Sequence, residues 1–537
     1  MKRECLRLLA DARSGNHFAQ RAVAQHYLQG TAGFPKYPRL GFEYLNHPMV
    51  KGSPEASLLV ARSLSLAELL AMECDKALRF AADLGDPSAL LKLACWESLA
   101  KPTGAAAWAL LQRASRQDAL HSDVALRAWK TGDTQGSPAR LLTVLEHAGL
   151  VGSAHDVAMH AAGRALDSRD VVAAQRALFC AAVVSPEPDE QMARALCRTL
   201  VLVQELDAPY ALHAAPRFVQ AALEGLSADG DADAAYMLGR AYCQLPWGRI
   251  MPEALVAEFN LRKGVALLLR AADAGRTTAW IDLHRLHSKK RSSVDNPGMA
   301  VFCLEKAALL GCAIAQRHIG AELLRRAQSI RGFEQGIAWL HRASLQGDRG
   351  AKVLLESLVV RVEGDESSAQ EGLRLLEPRH PQLAARLRVA RHFGLTRAEA
   401  LSFCPVGGTR SWGLVVDRNP LLVQPHLASP RAVPAVTEQA RRSLADAFAL
   451  FSVMSPAHGE ASEGTLRQRG VELRRALRRL CVDEALFFAK LGASTALAMK
   501  IGSTWAYRHR HLLFEVMTWE ASTGLDAPPA DGIDIPA

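Results

Sequence analysis

Three groups of side chains in this 537-residue chain have the types and spacing to do chemistry or hold a ligand. Ser153, His155 and Asp156 supply a hydroxyl, an imidazole and a carboxylate within four residues. Near neighbours on a helix point apart, so that adjacency gives no nucleophile with a positioned base. His284 and His287 stand three apart, as a metal-sharing pair would. Zinc takes at least three protein groups and no third ligand joins them, so a solvated pair on a helix surface is expected. The phosphate, dinucleotide, nucleophile-elbow and zincin motifs are absent. The expectation is no catalytic residue, no metal site and no cofactor. The third group is arginine: Arg467, Arg474, Arg475, Arg478 and Arg479 crowd one stretch whose Leu466, Leu473, Leu477 and Leu480 form an apolar stripe.

Binding residues have to be held by elements, and a repeat declares them. Seven times a Gly is followed four residues on by Ala and eight on by an aliphatic residue. The instances are Gly15/Ala19/Val23, Gly52/Ala56/Val60, Gly85/Ala89/Leu93, Gly230/Ala234/Leu238, Gly275/Ala279/Leu283, Gly311/Ala315/Ile319 and Gly347/Ala351/Leu355. Four of these glycines also close Ala-[Ala/Ser]-x-x-Gly, as in Ala307-Ala308..Gly311. Within each block the glycines recur at 33 to 45 residues, room for two short helices and two turns. Gly suits the left-handed position just past a helix end. Residues four apart share one face of the next helix, where a small side chain admits the neighbouring helix. One such hairpin cannot bury its apolar face alone, so neighbours must stack.

The runs Ala315-Gln316-Arg317-His318-Ile319-Gly320-Ala321, Gly336 to Gly347 and Ala234 to Tyr242 resemble the Sel-one-like repeat, a tetratricopeptide-like helical hairpin. The resemblance covers about 1–100 and 230–360. It implies an all-α fold, an αα-hairpin solenoid or superhelix; the residues beyond the repeats read as a small strand-containing connector and a C-terminal helical bundle. It also implies a non-enzymatic interaction scaffold whose concave surface holds a protein or peptide. Some cysteine-rich relatives are described as binding β-lactams through secreted, disulfide-clamped repeats. The ten cysteines here have no recurrent spacing, so a disulfide in each hairpin is unsupported and reduced thiols are expected. Trp339 fills a slot where the family carries Trp or Tyr, and reads as core; Tyr27 and Tyr242 share another slot and read as structural.

One slot past the patterned Ala the residue changes freely, as Gln20, Ser57, Leu90, Ala235, Trp280, Gln316 and Lys352. A slot that varies is not needed for the shared core, which makes Trp280, Gln316 and Lys352 candidates for partner binding. Trp280 has two open readings, an anchor at a groove or the filler of a local packing gap. Arg474 and Arg478 are the other candidates. Over 441–520 there are twelve Lys/Arg against eight Asp/Glu. That mild excess fits a solvated face first, an acidic protein partner second and nucleic acid third. An unrecognised enzyme, a β-lactam-binding activity and weak nucleic-acid binding stay as alternatives.

Six segments follow: helical repeats over 1–119, degenerate helical repeats over 120–225, helical repeats over 226–390, a connector over 391–436, a helical domain over 437–520 and a disordered tail over 521–537. In the degenerate stretch Ala181-Ala182 with Ser185 in the Gly slot reads as a decayed repeat. Thr396 and Glu399 read as a capping box, and Trp412 to Asp417 as a strand paired with Leu401 to Cys404. Prolines at 420, 425, 430 and 434 predict an extended connector poor in both helix and sheet. Helices are predicted over 437–454, 465–491 and 494–519. A net charge of +9 is modest for this length. No stretch of eighteen apolar residues could span a bilayer and no secretory signal is read, so a cytoplasmic location is expected. Arg and Ala usage suggests a bacterial source.

Overall fold

The computed structural model describes residues 3–46, 53–100, 104–117, 121–130, 137–417, 430–453 and 464–522. Gly52, the prolines at 420 and 425, and the tail from 523 lie outside the described residues. Thirty α-helices, the 3-10 turns Pro252–Ala254 and Glu484–Leu486 and one three-stranded sheet make up the regular structure there. By contacts the chain forms two compact units, Met1–Arg276 and Thr277–Ala537.

The first unit is a succession of antiparallel hairpins, among them Ala154–Asp167 with Val171–Val184, Glu190–Glu205 with Pro216–Ala228, and Ala232–Tyr242 with Leu261–Asp273. Each patterned Gly among the described residues turns left-handed, with φ from +87° to +100°. At Gly230, Gly275, Gly311 and Gly347 an added Cβ would meet nothing within 4 Å. The requirement there is conformational and not steric. The paired alanines have a further use: Cys312 N donates to Ala307 O at 2.9 Å and Gly311 N to Ala308 O at 3.1 Å, which satisfies the last carbonyls of the helix. The residue after the Gly then caps the next helix, as Asp231 Oδ1 accepts from Ala234 N at 2.8 Å and Asp348 Oδ1 from Ala351 N at 2.7 Å.

The same turn persists through 120–225, with a glycine at Gly149, φ +72°, and without one further on. Arg169 sits at φ +56°, with Arg169 N bonded to Leu166 O and Asp170 N to Ala165 O, and Asp207 sits at φ +46°. Ser185 is not such a slot: its φ of −122° is extended, so the decayed repeat read at Ala181-Ala182 is displaced. The helices of a hairpin cross at backbone distance. A Cβ on Gly264 would lie 2.8 Å from Gly239 O, and one on Gly336 would lie 3.0 Å from Gly320 O.

In the second unit the hairpins Thr277–Ser288 with Pro297–Leu309 and Ala313–Arg326 with Ile330–Leu345 are followed by Arg349–Glu356 and by Glu366–Leu376 with Pro381–Phe393. A sheet is built onto these. Strand β1 (Thr409–Arg410) and strand β3 (Arg431–Pro434) flank strand β2 (Gly413–Val416), both antiparallel to it, with Leu414 opposite Val433 and Val416 opposite Arg431. The predicted strand is present, but its predicted partner is not. Leu401 lies in the capped helix Arg397–Ser402 and Cys404 opens a one-turn helix, while β3 forms inside the stretch read as poor in sheet. The two faces of the sheet enter different cores. Leu414, Val416 and Val433 pack with Phe393, Phe403 and Phe451, whereas Trp412, Val415 and Ala432 pack with Leu340, Leu355 and Trp505.

The helix Glu438–Val453 matches its prediction, and Leu466–Leu480 stops eleven residues short of position 491, where Cys481 turns left-handed. The segment predicted as one helix over 494–519 is three: Ala493–Ala498, Gly502–Arg508 and Arg510–Ser522. Gly502 forces the break, since its N–H donates to Ala327 O at 2.7 Å and no Cβ would fit there. These C-terminal helices bury Trp505, Ala498 and Val516 against the hairpin helices Ala313–Arg326 and Arg349–Glu356.

Candidate functional site

A cleft of about 730 Å³ in the first unit is lined by described residues. It lies along the first helices of three successive hairpins, reached by Leu166, by Glu190–Glu205 and by the start of Ala232–Tyr242. The helix Glu190–Glu205 is amphipathic: Met192, Leu196, Leu200 and Val203 are buried, and Arg194, Arg198, Val201 and Glu205 fall on one stripe of the opposite side. That stripe forms one wall. Asp229, Asp231 and Asp233, in the turn and first residues of the next hairpin, form the other, over a floor of Leu166, Leu202 and Leu226.

The charges in this cleft are only partly matched within the chain. Arg169 pairs with Glu205 at 2.9 Å, Arg194 with Glu190, and Asp233 with Arg276 at 3.0 Å. Asp231 is occupied as a helix cap. Arg198 and Asp229, both exposed, have no ion-pair partner among the described residues. Cys197 also lines the cleft, its Sγ 4.0 Å from Asp231 Oδ1. Burial, with Asp231 and Asp233 adding to it, pushes this thiol up to about 12, so it presents no thiolate near neutral pH. The cleft can therefore recognise charge of both signs around an apolar strip, and offers no activated thiol.

The predicted site residues are not brought together. Trp280 is buried, its ring edge-on to Phe302 with centroids 6.0 Å apart, so it fills a packing gap and is not a groove anchor. Gln316 is buried too; its Nε2 donates to Ala308 O at 3.1 Å and its Oε1 accepts from Gln346 Nε2 at 3.0 Å, which ties one hairpin to the next. The varying slot thus faces the stack in both cases, because a slot can vary when each hairpin presents a different neighbour. Lys352 is exposed, as are Arg474 and Arg478 on Leu466–Leu480. Trp339, read as core, is half-buried beneath Arg342, whose guanidinium lies 4.9 Å from the ring centre. Tyr242 is buried and bonded to Glu224 and Lys263. His284 Nδ1 lies 2.9 Å from Ala300 O and His287 Nδ1 2.7 Å from Val294 O, so each imidazole is engaged by its own carbonyl. Ser153 caps its helix through Asp156 N at 3.1 Å.

The wall on Glu190–Glu205 was missed because that helix falls where the Gly/Ala pattern fades. One signal was available: the residue after a patterned Gly is Asn16, Ser53, Asp86, Asp231 or Asp348 in five cases, all helix-capping types. Following that slot leads to Asp231, which lines the cleft.

No protein-family model matches the chain, and no curated protein matches it. Among solved structures, a protective antigen present in uropathogenic Escherichia coli strains and displaying an SLR fold is 14% identical, covering 98% of this chain and 91% of that one at a TM-score of 0.26. A Sel-one repeat protein from Oxalobacter formigenes is 16% identical, covering 67% of this chain and 91% of its own, at a TM-score of 0.24. Both are proteins of the repeat that the sequence resembles. Overlaps this slight carry no argument, and the hairpin fold rests on the contacts described above.

Proposed function

We propose that this protein is a non-enzymatic scaffold that holds a protein or peptide segment along the first helices of its hairpins, with the cleft between Glu190–Glu205 and residues 229–233 as the principal contact. The observation that carries this reading is the pairing of two walls of opposite charge, each keeping an unmatched group, Arg198 and Asp229, over an apolar floor. Repeat scaffolds present extended surface, and energy at such surfaces concentrates in a few central residues. A role as an adaptor in a bacterial cytoplasm belongs to the same proposal. Among the described residues no helix is long and apolar enough to cross a membrane.

Panning a random peptide library against the full chain and against Arg194→Glu/Arg198→Glu tests the proposal. Peptides enriched on the parent and also held by Arg475→Glu/Arg479→Glu are expected to bind the Arg194→Glu/Arg198→Glu variant at least tenfold more weakly, with unchanged circular dichroism. Equal enrichment on both, or none on the parent, contradicts it.

A further inference from the structure

The helix Leu466–Leu480 carries five exposed arginines, at 467, 474, 475, 478 and 479, and none has an acidic partner among the described residues. Some exposed arginines of the same unit are matched, Arg325 with Glu322, Arg374 with Glu371 and Arg442 with Glu438, and others such as Arg331 and Arg361 stand singly; what sets this helix apart is that five unmatched ones crowd one element. Unmatched guanidiniums crowded on one helix repel one another and destabilise it, so their arrangement calls for an external counter-charge. Three of them, Arg467, Arg475 and Arg479, line a groove of about 480 Å³ together with His380, Val471 and Ala476. Its one carboxylate, Glu472, is held by His380 Nδ1 at 2.9 Å. His380 and Glu472 also border an adjoining recess of about 110 Å³, where the helix Pro381–Phe393 begins, and the dipole of that helix adds to the positive potential.

We propose that this groove is a binding site for an acidic peptide segment of a protein partner, separate from the cleft of the first unit and independent of it. The spacing of the arginines sets the pattern they would read. At about 1.5 Å rise per residue, Arg475 and Arg479 are separated by about 6 Å along the helix, and Arg467 and Arg475 by about 12 Å. An extended chain advances about 3.3 Å per residue, so carboxylates two residues apart match the first pair and one four residues further on matches the second interval. The motif is an acidic residue at the first, third and seventh positions. Guanidinium forks favour carboxylates in this setting. No Phe, Tyr or Trp lines the groove and its one imidazole, His380, is engaged by Glu472, so the aromatic platform of single-strand binders is lacking, which favours the peptide over nucleic acid.

Fluorescence anisotropy with the full chain tests this, using a labelled seven-residue peptide with Glu at positions one, three and seven in a Ser/Gly background. Binding is expected to weaken at least tenfold on replacing the three Glu by Gln, and at least tenfold in Arg475→Glu/Arg479→Glu, while Arg475→Lys keeps part of it and Arg194→Glu/Arg198→Glu keeps all of it. A thermal melt matching the parent shows that the variant has folded. The proposal is overturned if the peptide does not bind, if the Gln peptide or a scramble with adjacent Glu residues binds equally well, or if a twelve-nucleotide single strand binds tenfold more tightly than the peptide.

Discussion

The hairpins of the first unit and those of the second differ in what is laid over them. Around Glu190–Glu205 the exposed stripe of the helix meets solvent and borders an open cleft. In the second unit the helices Ala313–Arg326 and Pro381–Phe393 are covered by the sheet and by segments after residue 396, and charged groups are drawn inside as fasteners. Arg386 donates to Phe403 O at 2.8 Å with its guanidinium 4.9 Å from the Phe403 ring centre. Arg469 donates to Leu401 O at 2.9 Å. Arg431 donates from Nε and Nη2 to the two oxygens of Glu399, at 3.0 and 2.8 Å, with both residues buried. One hairpin type thus serves as an open binding face where its neighbours are more hairpins, and as a platform where appended segments need attachment.

The largest expected effect separates the two units. Arg431→Leu strands the Glu399 carboxylate in the interior, and breaking a buried pair in this way costs about 3–5 kcal/mol. Hydrogen exchange is expected to accelerate over 385–416 and 431–451 and to stay unchanged over 154–242; equal loss in both regions would remove the distinction drawn between them. Next comes a change that should strike both units alike. Gly264→Leu and Gly336→Leu each force a side chain into a backbone crossing, where overpacking costs about 1–3 kcal/mol. If melting curves of either variant overlay the parent, the crossing is looser than described.

The smallest effect is acid sensitivity, and it belongs to the second unit. Burial, with the Arg317 guanidinium beside it, pushes the imidazole of His318 down to about 3. Burial also lowers His284, His341 and His392. An unfolded histidine titrates near pH 6.5, so the unfolded chain takes up protons that the folded chain refuses. Stability is then full above about pH 6.5 and falls as the pH drops toward 3. For His318 the loss by pH 5 is on the order of 1–2 kcal/mol. Urea titrations at pH 7 and pH 5 are expected to show it, and His318→Gln should reduce the difference; a pH-independent midpoint contradicts it.

How much of this was legible in the sequence follows from which constraints are local. The left-handed turn is set by one residue's backbone and leaves a glycine behind, so Gly275, Gly311 and Gly347 announce their hairpins. Where Arg169 or Asp207 adopts the same turn, the geometry survives and the letter does not. The Thr396–Glu399 capping box is equally local, and it appears as read. The partner of β2 is not local: Arg431–Pro434 reaches it only because Arg431 finds Glu399 and Val433 finds the core of Phe393. Trp280 failed as a site for a related reason. Variation in its slot reflects the different neighbours that successive hairpins present, which a spacing pattern does not encode.

The central claim is that the cleft of the first unit holds the partner segment, and site-specific photo-crosslinking tests it most directly. A benzophenone side chain introduced at Val201, on the exposed stripe of Glu190–Glu205, is expected to capture peptides selected on the parent chain. The same group at Val183, which is 53% exposed on the second helix of the preceding hairpin, should capture none. Capture at Val183 equal to that at Val201, or no capture at Val201 by peptides that still bind, would contradict the account.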